Sequence, residues 1–330
     1  MAHGYRTSTW RVALLAAAAW LLPATAGAQD AVPIQRVTCS FSNMLDELRA
    51  GLKTGSPAYR KYLLQHIKEA ARSMPPGELI AAVEQERDPA VLEALGAALA
   101  THAGFTDDTT VLQPLLKRAE QDADPAARAA AVRGLRGTGS VEAMAKNGNA
   151  VTYERLIRDP SPEVREAVVG NLVQEDATVY AGHDRTLSET AVNTALASTD
   201  PEMAAKLLRE VSMEQVGSET VRKITGQLKS ENPTLRAASA SALGGVPGSE
   251  SAGATSSLVE LYRNEKDPAV RKAALQGIAR LGLSSALPTL SSLRGVAPAL
   301  DPEIAAWETA LERGLQEWTL VLREKERIRK

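Results

Sequence analysis

Cysteine occurs once in 330 residues, aromatic side chains make up only 4%, and neither sign of charge dominates. Each shortage closes off a class of function. A single thiol cannot build an intramolecular disulfide framework, a multi-cysteine zinc site or an iron–sulfur cluster. With 38 basic against 40 acidic side chains and a formal net charge of -2, the chain lacks the overall electrostatic footprint of a nucleic-acid or anionic-membrane binder. So few aromatics make a base-stacking surface hard to assemble. What is present, 44% hydrophobic and 24% charged residues, is the composition of a chain that folds.

Long apolar runs are also scarce. Val12 to Leu22 is the longest, flanked by Arg6 and Arg11 and with no acidic residue before Asp30. It is too short to span a bilayer but fits the hydrophobic segment of an export signal. Pro23 ends it, and Ala26-Gly27-Ala28 offers small residues for cleavage after Ala28. The expectation is a Sec signal peptide over 1–28 and a protein exported to the periplasm or the extracellular space, with no membrane insertion after cleavage. Cys39 has no histidine or basic cluster beside it to lower its pKa, so it reads as an inert thiol.

The remainder is a repeat. A small polar residue, a proline, any residue, an aliphatic residue and often an arginine recur seven times, at Asp88-Pro89, Asp124-Pro125, Ser161-Pro162, Asp200-Pro201, Asn232-Pro233, Asp267-Pro268 and Asp301-Pro302. The prolines stand 32 to 39 residues apart. Aspartate, asparagine and serine are preferred N-caps, and proline suits the first helical position, where its missing amide costs nothing. Each phrase therefore predicts a helix start.

The residues two, six and ten positions after each proline share one helical face. Over the first six units they are apolar except Ser239, for example Val91, Leu95, Leu99 and Val270, Ala274, Ile278. A shorter helical pattern precedes each start, as at Glu78 to Glu86 and Ser256 to Tyr262. One helix–turn–helix of about 35 residues cannot bury its apolar face alone, but stacked copies can. The expected fold is all-α, an α-solenoid of about seven hairpins with helical caps. Its expected bounds are an N-terminal cap over 29–76, repeats over 77–315, and the end of a C-terminal capping helix with a charged tail over 316–330. In the cap, Tyr59, Tyr62, Leu63, His66 and Ile67 lie near one face; at the other end Trp307, Leu311, Leu315 and Trp318 predict one helical stripe.

The Asp-Pro-x-Val-Arg opening at Asp267 to Arg271, followed by Ala-Ala-Leu and a terminal glycine, resembles HEAT repeats of the bacterial type, including those grouped with phycobilisome lyases. The resemblance implies a ladder between neighbouring units built from the cap aspartates Asp124 and Asp267 and the recurring arginines Arg128, Arg165, Arg236 and Arg271. It also implies a concave face, lined by the second helix of each unit, that grips a protein partner.

Catalytic signals are sparse. Past the signal the chain has only His66, His102 and His183, none in a His-Glu pair or a His-x-x-x-His arrangement. The resembling hydroxylases use paired His-Glu metal ligands, which are absent. No nucleophile elbow or phosphate-binding glycine loop occurs. Gln174 to Glu189 reads as a long connection whose Glu175, Asp176, Tyr180, His183 and Asp184 match no calcium or zinc spacing; Gly244 to Thr255 reads as a flexible exposed loop, and Asp107 and Asp108 as solvated. The chain is thus expected to hold no metal or cofactor, to bind no nucleic acid, and to act as an exported non-enzymatic scaffold with a protein partner. A lyase-like or hydroxylase-like enzyme, or an accessory to one, is the alternative.

Overall fold

The computed structural model describes residues 41–177 and 185–329, and among these there is no strand. The expected signal peptide, Cys39, Tyr180, His183, Asp184 and the terminal Lys330 lie outside the described residues. Residues 42–330 belong to one unit. In chain order its helices are α1 (Phe41–Thr54), α2 (Pro57–Arg72), α3 (Pro76–Gln85), α4 (Pro89–Thr106), α5 (Gln113–Gln121) and α6 (Pro125–Gly134). There follow α7 (Ser140–Lys146), α8 (Val151–Leu156), α9 (Pro162–Asp176), α10 (Arg185–Ala197), α11 (Pro201–Glu210) and α12 (Ser218–Gly226). The last six are α13 (Pro233–Leu243), α14 (Ser251–Asn264), α15 (Pro268–Gly282), α16 (Leu287–Ser291), α17 (Asp301–Leu311) and α18 (Trp318–Ile328).

The architecture is an α-solenoid in two layers. Helices that begin with the proline phrase stack side by side as α2, α4, α6, α9, α11, α13, α15 and α17, and α3, α5, α8, α10, α12 and α14 form the layer against them. The apolar ladder lies between the layers. Of its eighteen positions only Met203 and Leu235 are half-buried; the others, Ser239 included, are buried. Burying one such valine or leucine contributes about 1.5–3 kcal/mol, which makes this seam the main source of stability.

Small residues set how closely the second layer packs. A Cβ on Gly134 would lie 3.2 Å from the Cα of Gly96, and one on Gly244 only 2.7 Å from the Cα of Gly277. At α4 against α6 and at α13 against α15 the backbones are therefore in contact, and no side chain fits.

The stack departs from the expected elements in five places. The phrase occurs an eighth time, as Ser56-Pro57 at the start of α2, where Ser56 accepts the Tyr59 amide at 3.3 Å. Because α2 packs on α4 like every later second-layer helix, the repeat layer begins at Pro57 rather than after a separate cap. Its aromatic stripe divides: Leu63 and Ile67 are buried, while Tyr59, Tyr62 and His66 are exposed and stack on one another. The supposed flexible loop is shorter than expected: α14 already starts at Ser251, and Gly244 to Val246 are buried because α13 meets α15 there. The long connection after Gln174 also shrinks, with Glu175 and Asp176 ending α9 and α10 beginning at Arg185.

The fifth departure is at the C-terminus. One continuous capping stripe is not what forms. Gly314, at φ 68°, breaks the chain between α17 and α18, and α18 packs back against α17. Trp307 is buried and stacks on Trp318 at 5.4 Å between ring centroids, and the Lys325 ammonium sits 3.9 Å from the Trp307 centroid while pairing with Glu303. Folding back covers the Trp307 face that a straight helix would leave in water. Asp301 is likewise not a cap but the first residue of α17, accepting the Gly295 amide at 2.9 Å.

Ile278 is 1% exposed. Replacing Ile278 by Asp should lower the unfolding free energy by at least ~3 kcal/mol, because the new charge finds no partner between the layers. Urea denaturation reads this directly, and an unchanged midpoint would mean the helix register is wrong.

Candidate functional site

The recurring arginines and capping residues sit along the turns that join each first-layer helix to its second-layer partner. Asp124 caps its own helix, accepting the Ala126 amide at 2.9 Å; Asp267 does the same for Ala269 and Val270 at 2.7 and 3.2 Å. Neither takes a neighbour's arginine. The acceptor lies two residues earlier. Arg128 forks onto Asp159 at 2.8 and 3.0 Å, and Arg236 forks onto Glu265 at 2.7 and 3.0 Å. In each case the remaining guanidinium nitrogen donates to a carbonyl just before the arginine's own helix, that of Asp122 or Ser230, both at 2.8 Å. Each of these arginines thus ties the turn behind it to the turn of the next unit.

Arg165 follows the pattern with a weaker pair. It donates to the Asp159 and Pro160 carbonyls at 2.9 and 3.1 Å and lies 3.6 Å from the cap carboxylate of Asp200. Arg271 has no carboxylate ahead of it, since Ala299 stands two residues before Asp301. Its guanidinium instead sits 5.6 Å from the centroid of the Tyr262 ring.

The ladder carboxylates Asp159 and Glu265 were not singled out by the repeat phrase, yet the signal is present. An oxygen-bearing residue stands two before every cap from Asp88 to Asp267: Glu86, Asp122, Asp159, Ser198, Ser230 and Glu265. Each accepts the cap residue's amide, at 2.8 to 3.3 Å. Where the preceding unit has Ala204 in place of the arginine, the residue is the uncharged Ser230. Glu86 and Asp122 are served instead by Arg49 of α1 and by Arg118 of first-layer helix α5. The Arg236 hydrogen bonds, aided by the Lys266 and Asp267 amides, hold Glu265 down to about 2 against the upward push of burial.

A second polar cluster is buried between α9 and the units around it. Glu175 is fully buried near Gly137, Thr138 and Gly139, two of which are glycines at positive φ. Burial pushes Glu175 up to about 7, the amides of that turn oppose the rise, and Glu142 adds to it. Tyr153 and Asn171 are buried in the same region, and burial raises the Tyr153 phenol.

Among the described residues no three His, Cys, Asp or Glu side chains are placed to hold a metal ion. His66 stacks on Tyr62 rather than meeting a carboxylate. Asp108 caps the turn Thr109–Leu112 through the Thr110 amide at 3.0 Å, and the Thr110 hydroxyl, followed by that amide, lowers its pKa. No helix among the described residues is long and apolar enough to cross a membrane.

The structure therefore defines a helical-repeat protein whose recurring polar residues join one unit to the next. Residues 188–279 and 221–311 match the HEAT repeats family, which supports for this stretch the resemblance carried by the Asp-Pro phrase. No curated protein matches in sequence. Similar solved structures include an engineered protein, 17% identical over 86% of this chain and 82% of its own, with a TM-score of 0.38. A second engineered protein is 16% identical over 77% and 97%, with a TM-score of 0.34. Human deoxyhypusine hydroxylase in complex with glycerol is 16% identical over 87% and 98%, with a TM-score of 0.26.

Two outcomes test these clusters. Glu265 titrates below its ordinary value, so its stabilising contribution is complete above about 4.5 and is lost as pH falls toward about 2. Glu265→Gln should cost roughly 2–3 kcal/mol at pH 7, with the gap from the parent unchanged at pH 5 and narrowing in urea melts at pH 3.5 and 2.5. Glu175 has the opposite sign. Its contribution is complete below about 4.5 and is lost as pH rises through about 7. The parent should therefore lose thermal stability between pH 5 and 7 and level off above that, while Glu175→Gln lacks this loss.

Proposed function

We propose that this protein is an exported, non-catalytic scaffold of bacterial-type HEAT repeats that binds a protein partner along the outer surface of its second layer. That surface would be the concave face of a superhelical stack. The observation that carries the reading is the continuity of the layer: eight helices in register, from α2 to α17, present one unbroken surface. Long solenoid surfaces of this kind bind extended partners without any catalytic group. Export rests on the basic, apolar and small-residue segments of residues 1–28, and places the protein in the periplasm or the extracellular space.

The outward residues of the middle helices are polar and exposed, among them Glu163 and Glu166 on α9 and Glu202, Lys206 and Arg209 on α11. Such side chains contribute little to stability, so replacing them probes binding without unfolding the stack. A photo-crosslinking residue placed at Glu166 or Lys206 should capture a defined protein in the producing cell. The same residue at Lys117, exposed on first-layer helix α5, should capture none. Equal adducts from Lys117, or none from either second-layer position, would overturn the proposal.

A further inference from the structure

The second-layer surface is not electrically uniform. At its N-terminal end a groove of about 830 Å³ runs across α2, α4 and α6. Its cations are Arg60, Lys61 and Lys68 from α2, Arg133 from α6 and Arg136 from the turn after it, against one carboxylate, Glu93. Arg133 is neutralised within the fold, at 2.8 Å from Glu93 and 3.1 Å from Glu163. The other four make no ion pair among the described residues: Arg60 donates to the Gly55 carbonyl at 2.8 Å, and Lys61, Lys68 and Arg136 extend from half-buried or exposed positions. In a chain whose net charge is -2, four uncompensated cations around one groove are a local surplus.

The position of Arg136 is built into the packing. A Cβ at residue 170 would lie 2.8 Å from its Nη2, so Gly170 of α9 leaves the space in which the guanidinium rests. Between the cationic rims the floor is apolar and shallow. Ala90, Ala94 and Ala97 follow one face of α4, and Leu64 of α2 lies beside them. The floor therefore offers methyl groups to small apolar side chains, while the rims offer charge.

We infer that this groove binds an acidic peptide segment of the protein partner, its carboxylates meeting Lys61, Lys68, Arg60 and Arg136 and its small apolar residues resting on the α4 alanines. The inference rests on the scaffold reading above and names the chemistry of its partner. Charge complementarity of this kind steers encounter and selects partners. The floor favours peptide over nucleic acid. No aromatic ring lines the groove, so it has no platform on which bases would stack.

The test uses a fluorescein-labelled decapeptide of alternating glutamate and alanine, its glutamine analogue, and a single-stranded DNA ten-mer as competitor. Anisotropy with the purified chain lacking residues 1–28 should show binding of the acidic peptide and at least tenfold weaker binding of the glutamine analogue. Lys61→Glu with Lys68→Glu should weaken the acidic peptide at least tenfold while leaving the thermal melt unchanged, and raising the salt should weaken the parent's binding. Lys206→Glu, on the same layer but outside the groove, should bind like the parent. Equal binding of the two peptides, indifference to the double reversal, or DNA displacing the peptide at equal or lower concentration would overturn the inference. So would self-association abolished by the double reversal, which would make a second copy the occupant. A crosslinked partner at Glu166 or Lys206 together with a failed peptide titration would reject the groove and leave the scaffold reading intact.

Discussion

Every second-layer helix has to begin with its first amides satisfied in a place where two neighbouring units meet. The repeat solves this inside the turn. The residue two before the cap accepts the cap amide, the cap oxygen in most units accepts the next free amide, and the proline between them removes a donor altogether. Helix starts so constrained need little help from tertiary contacts to choose their first residue. In two units, Asp159 and Glu265, the same carboxylate is then used again by an arginine from the unit before. One side chain thereby fixes both where a helix starts and where its neighbour stands.

Once the starts are fixed, the ladder falls into place without further instruction. Positions two, six and ten after the proline come to face the seam between the layers in successive helices, and alanine or glycine at contact points lets the backbones close. The glycine pairs Gly96 with Gly134 and Gly244 with Gly277 mark where that closure is tightest. After α17 the chain folds back and supplies its own cover. Gly314 permits the reversal, Trp318 stacks on Trp307, and Lys325 sits over the buried ring. Glu308, which occupies an apolar rung, is accommodated by Arg294 and Ser291, and the Arg294 bond lowers its pKa.

This division explains what could be read from the residues alone. Helix starts were legible because they are a local solution to a local problem, written as Asp-Pro or Asn-Pro in contiguous residues. The ladder acceptors were harder to see because Asp159 and Glu265 belong to the next unit, 31 and 29 residues from the arginines they bind. The start of α14 was hidden for a different reason: Gly253, Ser256 and Ser257 have weak helix propensity, and what holds them is the burial of Ala254, Leu258 and Tyr262 against α15. The C-terminal stripe misled because a spacing of 4, 4 and 3 continues a helix on paper, while Gly314 at a left-handed angle stops it in space. Ser56-Pro57 was read as part of a cap, since its helix carries exposed tyrosines on the face that later units keep polar.

The electrostatics of the molecule follow the same logic of reuse. Arg128, Arg165 and Arg236 are each bound within the turns, so their charges hold the stack in register and contribute little field beyond it. Arg133 is similarly occupied between Glu93 and Glu163. A near-neutral total charge therefore conceals an uneven surface, because paired cations cancel in place while unpaired ones do not. Recognition by such a protein depends on the second group alone. Lys61, Lys68, Arg60 and Arg136 are cations of the second-layer surface that make no ion pair among the described residues, and they are gathered around a groove whose floor is made of alanine and leucine side chains. Residues that repeat from unit to unit hold the solenoid together, and residues that break the repeat are where its specificity has to reside.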